Sequence, residues 1–334
     1  MSRETVTDLN TQTLIGYTDK RGHAWHYRAA SQGAESNHYA GPIPVEDVRR
    51  RLFDWEAISG ELRGVALTDD GVIETTDTTR QVIMRSDTGA ILGVFKQGYQ
   101  VHRYQDWLIS NVESILDADL AIGSAGLLRG GAVAWVQVEM EDTMNASGVD
   151  FRPFLTATTS LDGSLATTYL TGAQVVVCDN TLSCAIGHAD ERIRVKHSRN
   201  SLGRLADVRE ALGIVAGVAD AFSAQVAQLL DESVDAGRWE RFVRAYAGLN
   251  AELSKRAKSA ADAKASSLQR LWDNDERVAP WAGTAYGVVA AVNTYAHHES
   301  IVRGADRATR NMERVVTGKV DELDNATVKL LARV

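Results

Sequence analysis

Cysteine is scarce in this chain: Cys178 and Cys184 are the only two in 334 residues. That excludes a disulfide framework and fits a reducing compartment. Proline is almost as rare, at positions 42, 44, 153 and 280, so the second half holds long stretches in which helices run unbroken. Long apolar runs are missing too. Stretches such as Gly287–Val292 are far too short to span a bilayer, and the opening MSRETVTDLNTQTLIGY has no apolar signal core. A cytoplasmic product with no membrane partner is expected. Positive charge is also in deficit, with a formal net charge of −8, which argues against a histone-like coating of nucleic acid but leaves room for a local basic groove. There is no Gly-x-Gly-x-x-Gly, no Walker loop, no His-Glu-x-x-His and no nucleophile elbow. Gly123-Ser-Ala-Gly126 lacks the Lys-Ser/Thr that a phosphate loop needs. No cofactor is expected, and no catalytic residue is assigned.

What the chain does have divides near residue 200. Before it come β-like runs rich in β-branched and aromatic residues: Gln81–Arg85, Ala90–Phe95, Ala132–Met140, Phe154–Thr159 and Gln174–Cys178. Leu128-Arg-Gly-Gly-Ala132 reads as a tight hairpin turn. A helix over Tyr104–Leu116 puts Tyr104, Trp107, Leu108, Val112 and Ile115 on one face, and a shorter one covers Val45–Trp55. After Ser201 the spacing turns helical, with Leu205, Val208, Leu212, Val215, Phe222, Val226 and Leu229 on one stripe. Further helices fit Trp239–Ala247, Ala251–Asn274, Trp281–His298 and Val320–Ala332. The expectation is an α+β fold: an antiparallel or mixed sheet with helices in residues 1–200, then an α-helical region over 201–334 packed on it.

Four groups of residues could carry chemistry. Cys178, Cys184, His188 and His197 lack the short knuckle spacing of a zinc site, and Cys178 follows a run of valines, so it reads as a small buried hydrophobe and no metal is assigned. Asp162, Asp179 and His197 could hold a divalent ion or perform acid–base chemistry. Yet Asp162-Gly163 is ordinary turn chemistry, and Asp179-Asn180-Thr181 suits a helix N-cap. In Arg192-Ile-Arg-Val-Lys196, alternation would put Arg192, Arg194 and Lys196 on one face of a strand, with Arg199 extending the patch. Lys96, Tyr99, His102, Arg103 and Tyr104 form a second cationic and aromatic group, and Arg129 sits at the hairpin tip. Cations beside aromatics suit single strands, where phosphates pair and bases stack. Tyr295-Ala-His-His-Glu299 reads as a surface or subunit-contact element.

Taken in order, Gly98-Tyr-Gln-Val-His102, Ala125–Trp135, Ser160-Leu-Asp-Gly-Ser164, Val177-Cys-Asp-Asn-Thr-Leu182 and Val195-Lys-His-Ser198 resemble a phage/plasmid-like protein family of unknown function. The opening Gly16–Trp25 resembles its actinobacteriophage branch. Members usually carry His before the Asp-Gly, where this chain has Leu161. The resemblance implies a mobile-element context and the cytoplasm of an infected bacterium. With it, the residues favour a non-catalytic DNA-metabolism accessory, possible homo-oligomer, binding or annealing single-stranded nucleic acid through Lys96, Tyr99, Arg103, Arg129, Arg192, Arg194, Lys196 and Arg199. A protein that binds a host factor or counters host defence, and a metal-dependent enzyme using Asp162, Asp179 and His197, are the alternatives.

Overall fold

The computed structural model describes residues 12–19, 35–113, 116, 120–140, 142–175, 180–182, 193–195, 214–250, 253–303 and 307–334. It is an α+β protein with two antiparallel sheets followed by helices. The strands are β1 (Thr13–Ile15), β2 (Ala57–Thr68), β3 (Gly71–Arg85), β4 (Ile91–Lys96), β5 (Leu120–Leu128), β6 (Val133–Met140), β7 (Met144–Ala146), β8 (Val149–Ser160), β9 (Thr167–Val175), β10 (Asn180–Leu182) and β11 (Ile193–Val195). The large sheet runs β1-β5-β6-β8-β9-β10, with β7 added to β8 and β11 to β9; the small sheet is β2-β3-β4.

Strands β6 and β8 of the large sheet are buried on both faces. On β6, Ala134, Val136 and Val138 point into one core with Leu155, Ala157, Val48, Leu52, Leu108 and Ile109. Val48 and Leu52 come from helix α1 (Val45–Leu52), and Leu108 and Ile109 from a π-helical turn (Gln105–Ile109) that leads into α2 (Ser110–Glu113). The face that carries Val133 and Trp135 is covered by Met312, Val315, Val316 and Val320. Trp135 fits because its partner across the ladder is Gly126, where a Cβ would fall 2.1 Å from the indole. Phe154 lies over Gly172 by the same device.

The C-terminal helices are α3 (Ile214–Asp231), α4 (Ala236–Ala247), α5 (Lys255–Asn274), α6 (Ala285–Thr294), α7 (Arg307–Val316) and α8 (Lys319–Leu331). Their starts are capped as their sequences suggest: Asp235 accepts from the Arg238 amide at 2.7 Å and Thr284 from that of Gly287 at 3.1 Å. Gly248 ends α4 in the left-handed conformation, at φ 75°. Phe222 and Val226 of α3 pack with Phe151, Val149 and Ala173 of the sheet, which joins the helices to it in one core. No helix among the described residues is long and apolar enough to cross a membrane.

Three readings need correction. Asn180–Leu182, read as a helix start, is strand β10, paired antiparallel with β9. Strands β2 and β5 were not legible, because β2 mixes Gly60, Gly64 and charges, and β5 is mostly small residues. Tyr295–Glu299 is not a surface element: it forms a π-helical turn after α6 that buries His297, whose carbonyl accepts from Asn311 Nδ2 at 2.9 Å.

Candidate nucleic-acid interface

β4 reaches Lys96 directly opposite Arg80 of β3. Opposed like charges on neighbouring strands repel. Asp77, 3.9 Å from Arg80, offsets part of this, and no described carboxylate pairs with Lys96. The chain then turns at Gly98 (φ 88°), and Tyr99 is tied down by Gln81 Nε2, which donates to its carbonyl at 3.0 Å. The Tyr99 ring folds back onto Phe95, with centroids 3.9 Å apart and planes within 9°. Burial, reinforced by the nearby Asp162 charge, pushes the Tyr99 phenol up to about 12, so it stays a neutral stacking group.

Three residues on, His102 is buried and stacked on Trp107 at 3.6 Å. Its Nδ1 lies 3.4 Å from Thr167 Oγ1, which is itself 2.9 Å from Thr159 Oγ1. This pins the 96–103 segment to the first residues of β9. The same residues receive β11, in which Arg194 stands opposite Thr168 and Val195 opposite Thr167. The 96–103 and 193–195 segments, far apart in sequence, therefore approach one end of one strand. Arg103 is exposed beside them, 3.8 Å from Glu56.

Arg129 is placed differently. It adopts a positive φ of 53° at the β5–β6 turn, and its Nη1 donates to Asp162 Oδ2 at 3.0 Å and to Ser164 Oγ at 2.9 Å. Its Nη2 pairs with Glu313 of α7. Its charge is thus met by two carboxylates, and it clasps the turn to the helical layer. Burial alone would raise the Asp162 carboxyl, but hydrogen bonds from Ser164 and Arg129 outweigh that and hold it below the usual range. Asp162 is consequently a turn and ion-pair residue, with Ser164 N donating to it at 2.8 Å. Its two proposed companions, Asp179 and His197, lie outside the described residues, as do Cys178, Cys184, His188, Arg192, Lys196 and Arg199. Among the described residues no group of three or more His, Cys, Asp or Glu could hold a metal ion.

Arg80 escaped the sequence reading, although its place two residues before the Val82-Ile83 core run put it at the base of a strand. A buried polar group was missed as well. Arg152 Nη2 lies 3.1 Å from Glu139 Oε2, both side chains at 1 % exposure or less, with the Tyr17 ring 4.7 Å from the guanidinium. Gln137 Nε2 donates to Glu139 Oε1 at 2.9 Å, and Thr156 Oγ1 donates to Gln137 at 3.3 Å. The signal was there in Val-Gln-Val-Glu, two polar residues on one face of an otherwise apolar strand.

A search of curated proteins and a search of solved structures each found no match. Residues 91–316, more than half of the chain, match the family described as Domain of unknown function (DUF932). The match starts at β4 and takes in the whole described interface except β3. On that coverage, the chain belongs to the DUF932 family.

Proposed function

We propose that this protein binds single-stranded nucleic acid without catalysis, as an accessory to phage or plasmid DNA metabolism in the bacterial cytoplasm. The observation that carries the reading is the approach of the 96–103 and 193–195 segments to Thr167 and Thr168 of β9. Lys96, Arg80 and Arg103 offer cations there, and the Phe95–Tyr99 stack offers an aromatic surface. Facing cations at Arg80 and Lys96 are relieved by an anion, which a phosphate supplies. Arg192, Lys196 and Arg199 extend the set by sequence. Arg129 belongs to the scaffold, since its carboxylate partners already neutralise it. The resemblance to phage and plasmid proteins points the same way.

The test is a titration of the full chain with labelled single-stranded oligonucleotides at several salt concentrations. Each lost phosphate contact should flatten the log–log salt slope by about 0.7. Arg80→Ala with Lys96→Ala, and separately Arg194→Ala with Lys196→Ala, should each weaken binding to every sequence. Tyr99→Ala should cost about 1–3 kcal/mol if a base stacks there. Arg129→Ala should leave the slope unchanged. Absence of binding at low salt, or undiminished binding by both folded double variants, overturns the proposal.

A further inference from the structure

The small sheet ends in a ribbon that touches little else. β4 pairs with β3 only from Arg80 to Met84, so Leu62–Thr68 and Gly71–Asp77 form a two-stranded hairpin in solvent. β2 is the edge strand along its whole length. The hairpin carries Leu67 at 84 % exposure, Val65 at 63 %, Ile73 at 60 % and Val72 at 58 %. Two-stranded ribbons are marginal alone in water, and a long open edge with apolar side chains invites another strand. Nucleic acid does not suit it: residues 61–77 hold five acids against one arginine.

We infer that β2 pairs antiparallel with β2 of a second copy of this chain, about a two-fold axis at Leu62. The register follows from symmetry and charge. A two-fold relating adjacent antiparallel strands stands normal to the sheet, between them, and must set one residue opposite its own copy, because opposed residues share a face. An axis at Leu62 sets Glu61 opposite Arg63 of the second copy, and the reverse, giving two cross-strand ion pairs. It also sets Gly60 opposite Gly64, Ser59 opposite Val65, Ile58 opposite Ala66 and Ala57 opposite Leu67. An axis at Glu61 would oppose two glutamates, and one at Arg63 two arginines, which is destabilising. Among the described residues of the single chain, Arg63 pairs only with its neighbour Glu61, two residues away, with Nη2 at 2.6 Å and both side chains exposed. The bulge between Glu61 and Leu62 falls in β3, which has the extra residues, so β2 keeps a regular outer edge. The product is a continuous six-stranded sheet in which each ribbon gains a third strand.

Sedimentation of the full chain over a dilution series tests this, with circular dichroism to check folding. The wild-type chain should dimerise. Arg63→Glu, with two glutamates on the edge, and Glu61→Arg, with two arginines, should each stay monomeric. An equimolar mixture of the two variants should form a heterodimer, since every cross-strand pair is then opposite in charge. The double variant Glu61→Arg/Arg63→Glu should recover self-association. A monomeric wild-type chain, dimers that persist in the single variants, or a mixture that stays monomeric overturns the inference. None of these outcomes depends on oligonucleotide binding.

Discussion

The two sheets place their side chains in opposite environments. In the large sheet, Gln137, Glu139, Arg152 and Thr156 are buried, while in the small one Val65, Leu67, Val72 and Ile73 stand in solvent. Either pattern is more informative than a buried valine or an exposed lysine. The buried polar group is held by an ion pair between Arg152 and Glu139 and by the Thr156–Gln137–Glu139 hydrogen bonds in a packed layer. The exposed apolar group has no such compensation among the described residues. The contrast teaches that strand composition did not decide burial here. Coverage did: helices lie over both faces of β6 and β8, and nothing in the described chain lies over the distal ribbon.

The largest expected effect breaks the first half of this contrast. Arg152→Met removes one member of the buried ion pair and leaves Glu139 buried without its cation, which should cost about 3–5 kcal/mol. Replacing both, as Arg152→Met/Glu139→Met, removes the uncompensated charge and should recover most of that loss. Chemical denaturation of the two variants measures both numbers. If the double variant is as unstable as the single one, the pair does more than satisfy itself, and the polar face has a role beyond packing.

The next effect compares the sheets at equal chemistry. A Cβ at Gly126 would meet the Trp135 ring at 2.1 Å and the Gln12 carbonyl oxygen at 2.6 Å. Gly126→Ala should therefore cost about 1–3 kcal/mol through overpacking. At Gly64, on the ribbon, the nearest atom is the Thr75 methyl carbon at 3.3 Å, and that side chain is exposed and can move. Gly64→Ala should gain up to about 1 kcal/mol by restricting the unfolded chain. Thermal unfolding of the pair gives the comparison directly. Equal losses at the two sites would show that the ribbon is packed as tightly as the large sheet.

The same contrast explains what was legible in the sequence. Val133–Met140, Val149–Ser160 and the helices α4 to α6 announce themselves, because burial on one or both faces imposes a period on Val, Trp and Phe. The α+β class followed from that. The candidate interface was legible only as two separate cationic stretches: Thr167 links the 96–103 and 193–195 segments through a hydrogen bond to His102 and a register with Val195, and neither leaves a local trace. Arg129 could not be sorted from the rest, since Glu313, its partner on α7, is 184 residues away. The ribbon was missed because its strands obey no burial pattern.

The smallest effect concerns that ribbon alone. Leu67 faces Val72 across the last turns of the hairpin, a pair worth roughly 0.2–1 kcal/mol where a sheet is intact. A ribbon with exposed faces opens locally before the core does, so the contact is already lost in partly opened molecules. At dilutions where the chain is monomeric, Leu67→Ser should therefore shift global stability by no more than about 0.5 kcal/mol. Hydrogen exchange should agree, with the amides of Leu62–Asp77 exchanging through local opening and those of β6 only through global unfolding. At high concentration a second copy that covers the edge would protect the same amides and raise apparent stability by mass action, and Leu67→Ser should reduce both. A loss of 2 kcal/mol or more in the dilute variant would mean that the ribbon tip is covered by its own chain, and the distinction between the two sheets would fall.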